Sequence, residues 1–580
     1  MAVIVGIDLG TTNSLCAVFQ DGQPQLIPNV HGRFLTPSVV GVLEDGQVVV
    51  GAPAKELRVT RPERCAWCFK RYMGSGRAMT LAGKPYSAPE LSSLVLRSLK
   101  NDAEAKLERR IDEAIITMPA YFNDLQRKAT KLAGEMAGFT VRRIINEPTA
   151  AALVYGFHAR DSEKRLVVID LGGGTFDVTL MEVFEGTLEI VATAGESMLG
   201  GEDFTDRLVS AVFQQEKTSL EVAELKQPLR VSRLRQECEG AKCQLAQSDA
   251  ARVRVPDAQG EFTDSPAAFK VTRETFAKLV EPLMRRIRQP IDKALRDAAC
   301  DPQSVDDVIL AGGATRMPLL AAYVADYFGK PPRMEQNPDE VVALGAAIQA
   351  ALVQNDVAVA DMVMTDVCPF TLGVEIVKDF GGQMMDGYFS PVIHRNTTIP
   401  VSREEVFHTV TTNQQVVKVR VFQGESRRTK DNLELGELTV DGLPPGPAGT
   451  PVNVRFSYDL NGILEVEAFV PGGSRKFRAV LAHHAQGLSP EQIEEAVRRL
   501  QALKFYPRDD ERNRRLVLFC ERAIGECAAH QRQTLEEAID VFEHSMSSGD
   551  RELFAGAKSG LLVVLSHLGL EYDEVDADGS

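Results

Sequence analysis

The chain has 580 residues, 44% apolar and 25% charged, too long for one hydrophobic core, so two or more domains are expected. Its 65 basic and 81 acidic side chains give a net charge of −16, which favours solubility and argues against a nucleic-acid backbone as the main partner. The nine cysteines are scattered, and the lone CxxC, Cys65 and Cys68, lacks the second pair a zinc site needs; we read reduced thiols in a cytoplasmic protein.

From the amino end, Met1 to Gly10 reads as an apolar strand carrying Asp8, without the basic flank and cleavage site of a signal peptide. No stretch approaches the roughly 18 apolar residues of a membrane helix. Ala2 to Val18 (AVIVGIDLGTTNSLCAV) and Leu166 to Val183 (LVVIDLGGGTFDVTLMEV) share one pattern: an apolar strand, Asp-Leu-Gly, a Gly/Thr run, then a second strand. Each copy predicts a β-hairpin, and the repeat predicts a duplicated α/β domain with one hairpin per half.

These turns suit phosphate. Gly172, Gly173 and Gly174 lack a Cβ, so their N–H groups form a concave nest, and Thr11, Thr12 and Thr175 add hydroxyl donors. Asp8 and Asp170, at the two strand ends, suit a Mg²⁺ held between them. A third glycine turn, Gly312 to Arg316, follows the strand Asp307 to Ala311 and precedes a helical run from Leu319 to Phe328; it suits the nucleoside. GxxxxGK[ST], GxGxxG after a strand, and the kinase signatures are all missing, so a P-loop, Rossmann or kinase site is not supported; if ATP binds here, it binds in the cleft between two halves.

At this point the chain resembles the DnaK family, the seventy-kilodalton heat-shock chaperones, and most of all its HscC-type bacterial members. The resemblance rests on IDLGTTNS (Ile7 to Ser14), MPAYFNDLQRKAT (Met118 to Thr130), IINEPTAAAL (Ile144 to Leu153), IDLGGGTFDV (Ile169 to Val178), LGGEDF (Leu199 to Phe204), LAGGATRMP (Leu310 to Pro318), NPDEVVALGAAIQA (Asn337 to Ala350), NTTIP (Asn396 to Pro400) and DNLELGEL (Asp431 to Leu438). It implies an actin-like ATPase with ribonuclease H-like halves over 1–358, a linker over 359–366, a β-sandwich peptide-binding domain over 367–488, a helical lid over 489–572 and an acidic tail over 573–580. It further implies Lys70 at the γ-phosphate and attacking water, and Glu147 and Asp170 orienting that water and the Mg²⁺ shell. Asp8 and Asp177 complete the acidic ring. Thr175 meets the γ-phosphate, and Thr11, Thr12 and Asn13 the β-phosphate. Glu239 and Lys242 pack on the adenine, while Gly312, Gly313, Arg316 and Asp339 close the nucleoside pocket. ATP or ADP, Mg²⁺ and K⁺ are the implied ligands, and Pro119 and Arg127 the relay to the second domain.

The linker, Asp361 to Asp366, carries the apolar run Met362, Val363 and Met364 between acids, with Thr365 where the family has leucine. Strand-like text follows, with a hairpin turn at Asp459 to Gly462. The resemblance puts Val374, Val377, Phe407, Val410, Val417 and Val419 in the peptide groove; inward β residues of the sandwich's own core look the same. Ser489-Pro490-Glu491-Gln492 reads as a helix start, with a break at Pro507. Unfolded clients and a J-domain co-chaperone are the implied partners. A shortened segment between Gly76 and Ala82, a trimmed far lobe after Phe204, and Ala246 in place of serine imply fast nucleotide release with little need of an exchange factor. A metabolite kinase or an actin-like filament protein would share the ATPase fold, but neither explains the roughly 210 residues after Asp366.

Overall fold

The computed structural model describes residues 3–158, 163–184, 187–263, 266–333, 335–359, 362–459, 462–471, 475–481, 513, 516–517, 519–520, 523–524, 529–548, 551–568, 570 and 572. The expected helix start at Ser489, the break at Pro507, linker residue Asp361 and the acidic stretch Asp573 to Asp576 lie outside them. Two compact units divide the chain, Met1–Pro369 and Phe370–Ser580.

The first unit is a duplication, as the repeated motif predicts. In one half the strand Ile4–Asp8 lies parallel to Glu113–Met118, which in turn pairs with Thr140–Asn146; on its other side it runs antiparallel to Asn13–Gln20, followed by Gln23–Ile27. In the other half Lys164–Leu171 lies parallel to Asp307–Ala311 and antiparallel to Phe176–Phe184, followed by Thr187–Glu196. Each motif is therefore a central hairpin. The register sets Asp8 opposite Leu15 and Asp170 opposite Asp177, so both acidic strand ends finish at a glycine-containing turn.

Two small-residue helices, Glu147–His158 and Val341–Val353, cross where the halves meet. A Cβ on Gly345 would fall 1.7 Å from the Ala150 carbonyl oxygen, so only glycine permits this crossing. Ile4, Ile115, Ile145, Val168, Ile309 and Ile348 are buried around these helices, and this apolar burial holds the hairpins rigid beneath the site. The flanking helices Ala88–Leu107 and Asp124–Met136 each start with a reciprocal capping box, Ser87 with Glu90 and Asn123 with Gln126.

The second unit contains two four-stranded antiparallel sheets. One has the order Gln383–Ile393, Leu372–Phe380, Val416–Gln423, Leu433–Asp441; the other Val401–His408, Pro451–Tyr458, Leu464–Phe469, Lys476–Leu481. Helices Ala529–Ser548 and Arg551–His567 follow, joined by a core that includes Leu535, Ile539, Phe542, Leu561 and Leu565. The fold class is the expected one: a duplicated α/β unit, a β-sandwich and carboxy-terminal helices.

Candidate active site

The two hairpin turns face each other across a cleft of about 600 Å³. Their approach is close: a Cβ on Gly173 would fall 1.6 Å from the Thr12 hydroxyl oxygen. That hydroxyl is buried and has no hydrogen-bond partner in the protein. A buried polar group left unpaired is costly, so Thr12 marks a place where a ligand oxygen completes the structure. The neighbouring Thr11 and Thr175 are also buried at the cleft wall.

At the cleft floor Lys70 is buried and its Nζ donates to Glu147 Oε1. The lysine sits on a short turn, Phe69–Tyr72, entered through Cys68 at a left-handed φ of 54°; Glu147 opens the helix that ends in His158. The Thr117 hydroxyl donates to Asp8 Oδ1 at 3.0 Å, and the Tyr121 N–H donates to Asp177 Oδ1 at 3.2 Å. Burial first, and Glu147 next, push Asp8 up to about 7 and Asp177 up to about 8. Asp170 is driven well above the usual carboxylate range by burial, then by Glu147, Asp177 and Asp8. Four acids answered by one lysine form a site short of positive charge, which a divalent cation supplies. Among the described residues no three such side chains converge to hold a metal ion directly; the donor set suits a hydrated Mg²⁺, which typically keeps several waters.

On the far side, Gly312 takes a φ of 79° and its N–H donates to the Pro338 carbonyl at 2.8 Å. A Cβ on Gly313 would lie 2.4 Å from Asp339 Oδ1, and Arg316 Nε donates to Asp339 Oδ2 at 2.8 Å. Lys242 Nζ donates to the Gly201 carbonyl at 2.8 Å and to Thr205 Oγ1 at 2.9 Å, and it pairs with Glu239 at 2.7 Å. Asn13, Gly172, Glu239, Lys242, Gly312, Gly313, Arg316 and Asp339 all line the cleft; of the residues predicted for nucleotide and metal, Gly174 and Asp177 do not. Sequence reasoning missed Gly10, Leu15, Gly201 and Met317, which lie inside or beside the quoted motifs, and Leu35 and Cys243. The last two carry no signal of their own.

A hydrogen-bonded path leads away from the floor. Arg127 donates to the carbonyls of Phe122 (3.0 Å) and Ala120 (3.2 Å), just after Pro119, and to Asn146 Oδ1 at 3.1 Å. Asn146 Nδ2 donates to Asp366 Oδ2 at 3.1 Å. Asp366 is half-buried in the first unit, and desolvation raises its carboxyl, opposed by the Val367 N–H, Arg127, Arg143 and Asn146. Ahead of it Val363–Met364 pairs in parallel with Thr187 and Leu188, and the Thr365 N–H donates to the Leu188 carbonyl at 3.0 Å. Met362 is buried there. The apolar run is thus an edge strand of the second half-sheet.

In the second unit Val374 stands opposite Val421, and Val417, Val419 and Val421 alternate along one strand, so Val374, Val417 and Val419 share a face. Val374 and Val419 are buried, Val417 and Phe407 half-buried, and Val377 and Val410 exposed at 36% and 38%.

A family profile described as Hsp70 protein matches residues 4–80 and 75–551. The proteins named Chaperone protein DnaK from Thermotoga petrophila and Thermotoga maritima are each 40% identical over 553 residues, covering 94% of this chain and 90% of theirs.

Proposed function

Because this chain belongs to the Hsp70 family of ATP-dependent chaperones, we propose that its named residues divide the work as follows. Lys70, oriented by Glu147, contacts the γ-phosphate and the attacking water. Asp8, Asp170 and Asp177 hold the hydrated Mg²⁺, with K⁺ as companion, and Thr175 and Thr12 donate to the phosphate oxygens. Mg²⁺ supplies charge neutralisation to the transferring phosphoryl group, a reaction that needs positioned charge more than covalent chemistry. Arg316 and Asp339 close the nucleoside side, with Glu239 and Lys242 facing them.

Hydrolysis is transmitted through Pro119, Arg127 and Asn146 to Asp366, Met362 and the Val363–Met364 strand. Val377 and Val410 form the rim of a client groove whose floor is Val374, Phe407, Val417 and Val419; extended unfolded segments bind there. A J-domain co-chaperone stimulates hydrolysis. The HscC-type branch, a cytoplasmic setting and weak dependence on an exchange factor complete the reading. No helix among the described residues is long and apolar enough to cross a membrane.

The observation that carries the proposal is the sequence neighbourhood of Asn146 and Glu147: one side chain touches the linker acid and the next touches Lys70. Single-turnover hydrolysis tests it. Lys70→Ala should retain ATP binding while the rate falls by about 100-fold or more; hydrolysis at the unmodified rate would remove the catalytic assignment.

A further inference from the structure

Lys70 has a neighbour that its own role does not explain. The Phe69–Tyr72 turn sends Lys70 down to Glu147 and sends Arg71 across to the other half of the ATPase. There Arg71 Nε donates to the Gly174 carbonyl at 3.0 Å, and both terminal nitrogens of its fork pair with the two oxygens of Asp203. Asp203 Oδ2 also accepts the Gly200 N–H at 2.8 Å. The N–H groups of Gly201 and Glu202 donate to the carbonyls of Gly172 and Gly173, both at 2.9 Å. The glycine turn, the start of the Gly201–Gln215 helix and Asp203 therefore form one hydrogen-bonded block, to which Arg71 ties the turn that carries Lys70.

We propose that Arg71 is a positioning residue, a latch that holds the two halves closed over the nucleotide and sets how long it stays. The proposal rests on reading the cleft as the ATP site. Both partners are largely shielded, with side-chain exposures of 10% for Arg71 and 23% for Asp203, and the contact is two-pronged. An exposed ion pair contributes next to nothing; a shielded, bidentate guanidinium–carboxylate pair is among the strong polar contacts. Opening the cleft far enough to free a nucleotide must separate Arg71 from Gly174 and Asp203 together. The same separation would move the Lys70 turn off the phosphate turn, so nucleotide retention and catalytic geometry share one fastening.

Release of fluorescent ADP from the full chain, followed by stopped flow, tests the latch. Arg71→Ala and Asp203→Asn should each speed release by about 10-fold, the scale of one charge-assisted contact. The double variant should be no faster than Arg71→Ala, because Asp203→Asn removes only a contact that Arg71→Ala has already removed. Arg71→Lys should fall between, since lysine keeps the charge but not the fork. In the three single variants, KM for ATP should rise more than single-turnover kcat falls. Should Arg71→Ala not fold, the near-isosteric Asp203→Asn carries the measurement. Unchanged release in Asp203→Asn, or additive effects in the double variant, would overturn the latch. Lys70→Ala separates the two readings: if it hydrolyses ATP normally, the site assignment fails whatever Arg71 does.

Discussion

The Asn146 side-chain amide donates to the Asp366 carboxylate at 3.1 Å, although the two residues are 220 positions apart. Glu147, the next residue, accepts a hydrogen bond from Lys70 Nζ. The Lys70–Glu147 pair and the linker acid Asp366 are therefore bonded to two side chains adjacent in the chain.

Asp366→Ala should uncouple the two units while sparing the cleft. It strands the Asn146 amide and removes the acid facing Arg127, at a cost of about 1–3 kcal/mol to the docked linker. We expect basal hydrolysis to persist and ATP to lose most of its acceleration of peptide release, read with a labelled extended peptide. Full ATP-triggered release from Asp366→Ala would show that the linker contact is ornamental to coupling.

Val410→Glu should weaken client binding without unfolding the sandwich. Val410 is 38% exposed, so the carboxylate remains solvated in the free protein and meets an apolar side chain only when a peptide binds. Fluorescence anisotropy should give a peptide Kd raised about 10-fold or more, with unaltered ATPase activity. An unchanged Kd would place the groove elsewhere.

Trp67 should report on closure. The Arg58 guanidinium lies over its ring, 4.8 Å from the centroid, and the Arg58 carbonyl accepts the Ser232 hydroxyl from the other half at 2.8 Å. ATP addition should alter the emission of this single tryptophan, and Ser232→Ala should shrink the change. Constant emission in a protein shown by calorimetry to bind ATP would contradict it.

The hairpins, the glycine turns and the duplicated architecture were legible because each is local: a strand, a turn and an alternating strand are written in consecutive residues. Most of the cleft wall followed, since its residues sit in or beside those turns. The Arg71–Asp203 and Asn146–Asp366 contacts were not legible. Their partners are 132 and 220 positions apart, and nothing in a lone arginine or asparagine says which distant acid the fold will bring to it. The groove was legible only by composition. Val374 and Val419 are buried at 3% and 4%, and a groove floor and a sandwich core use the same apolar alternation.

The decisive measurement is the dissociation rate of a labelled extended peptide from the full chain, with ATP and with ADP. Coupling energies of about 1–3 kcal/mol correspond to rate or affinity ratios of about 5 to 150, and we expect peptide to leave faster with ATP by a factor in that range. Equal lifetimes in the two nucleotides, in a protein that demonstrably binds both, would contradict a linkage between the acidic cleft and the valine groove.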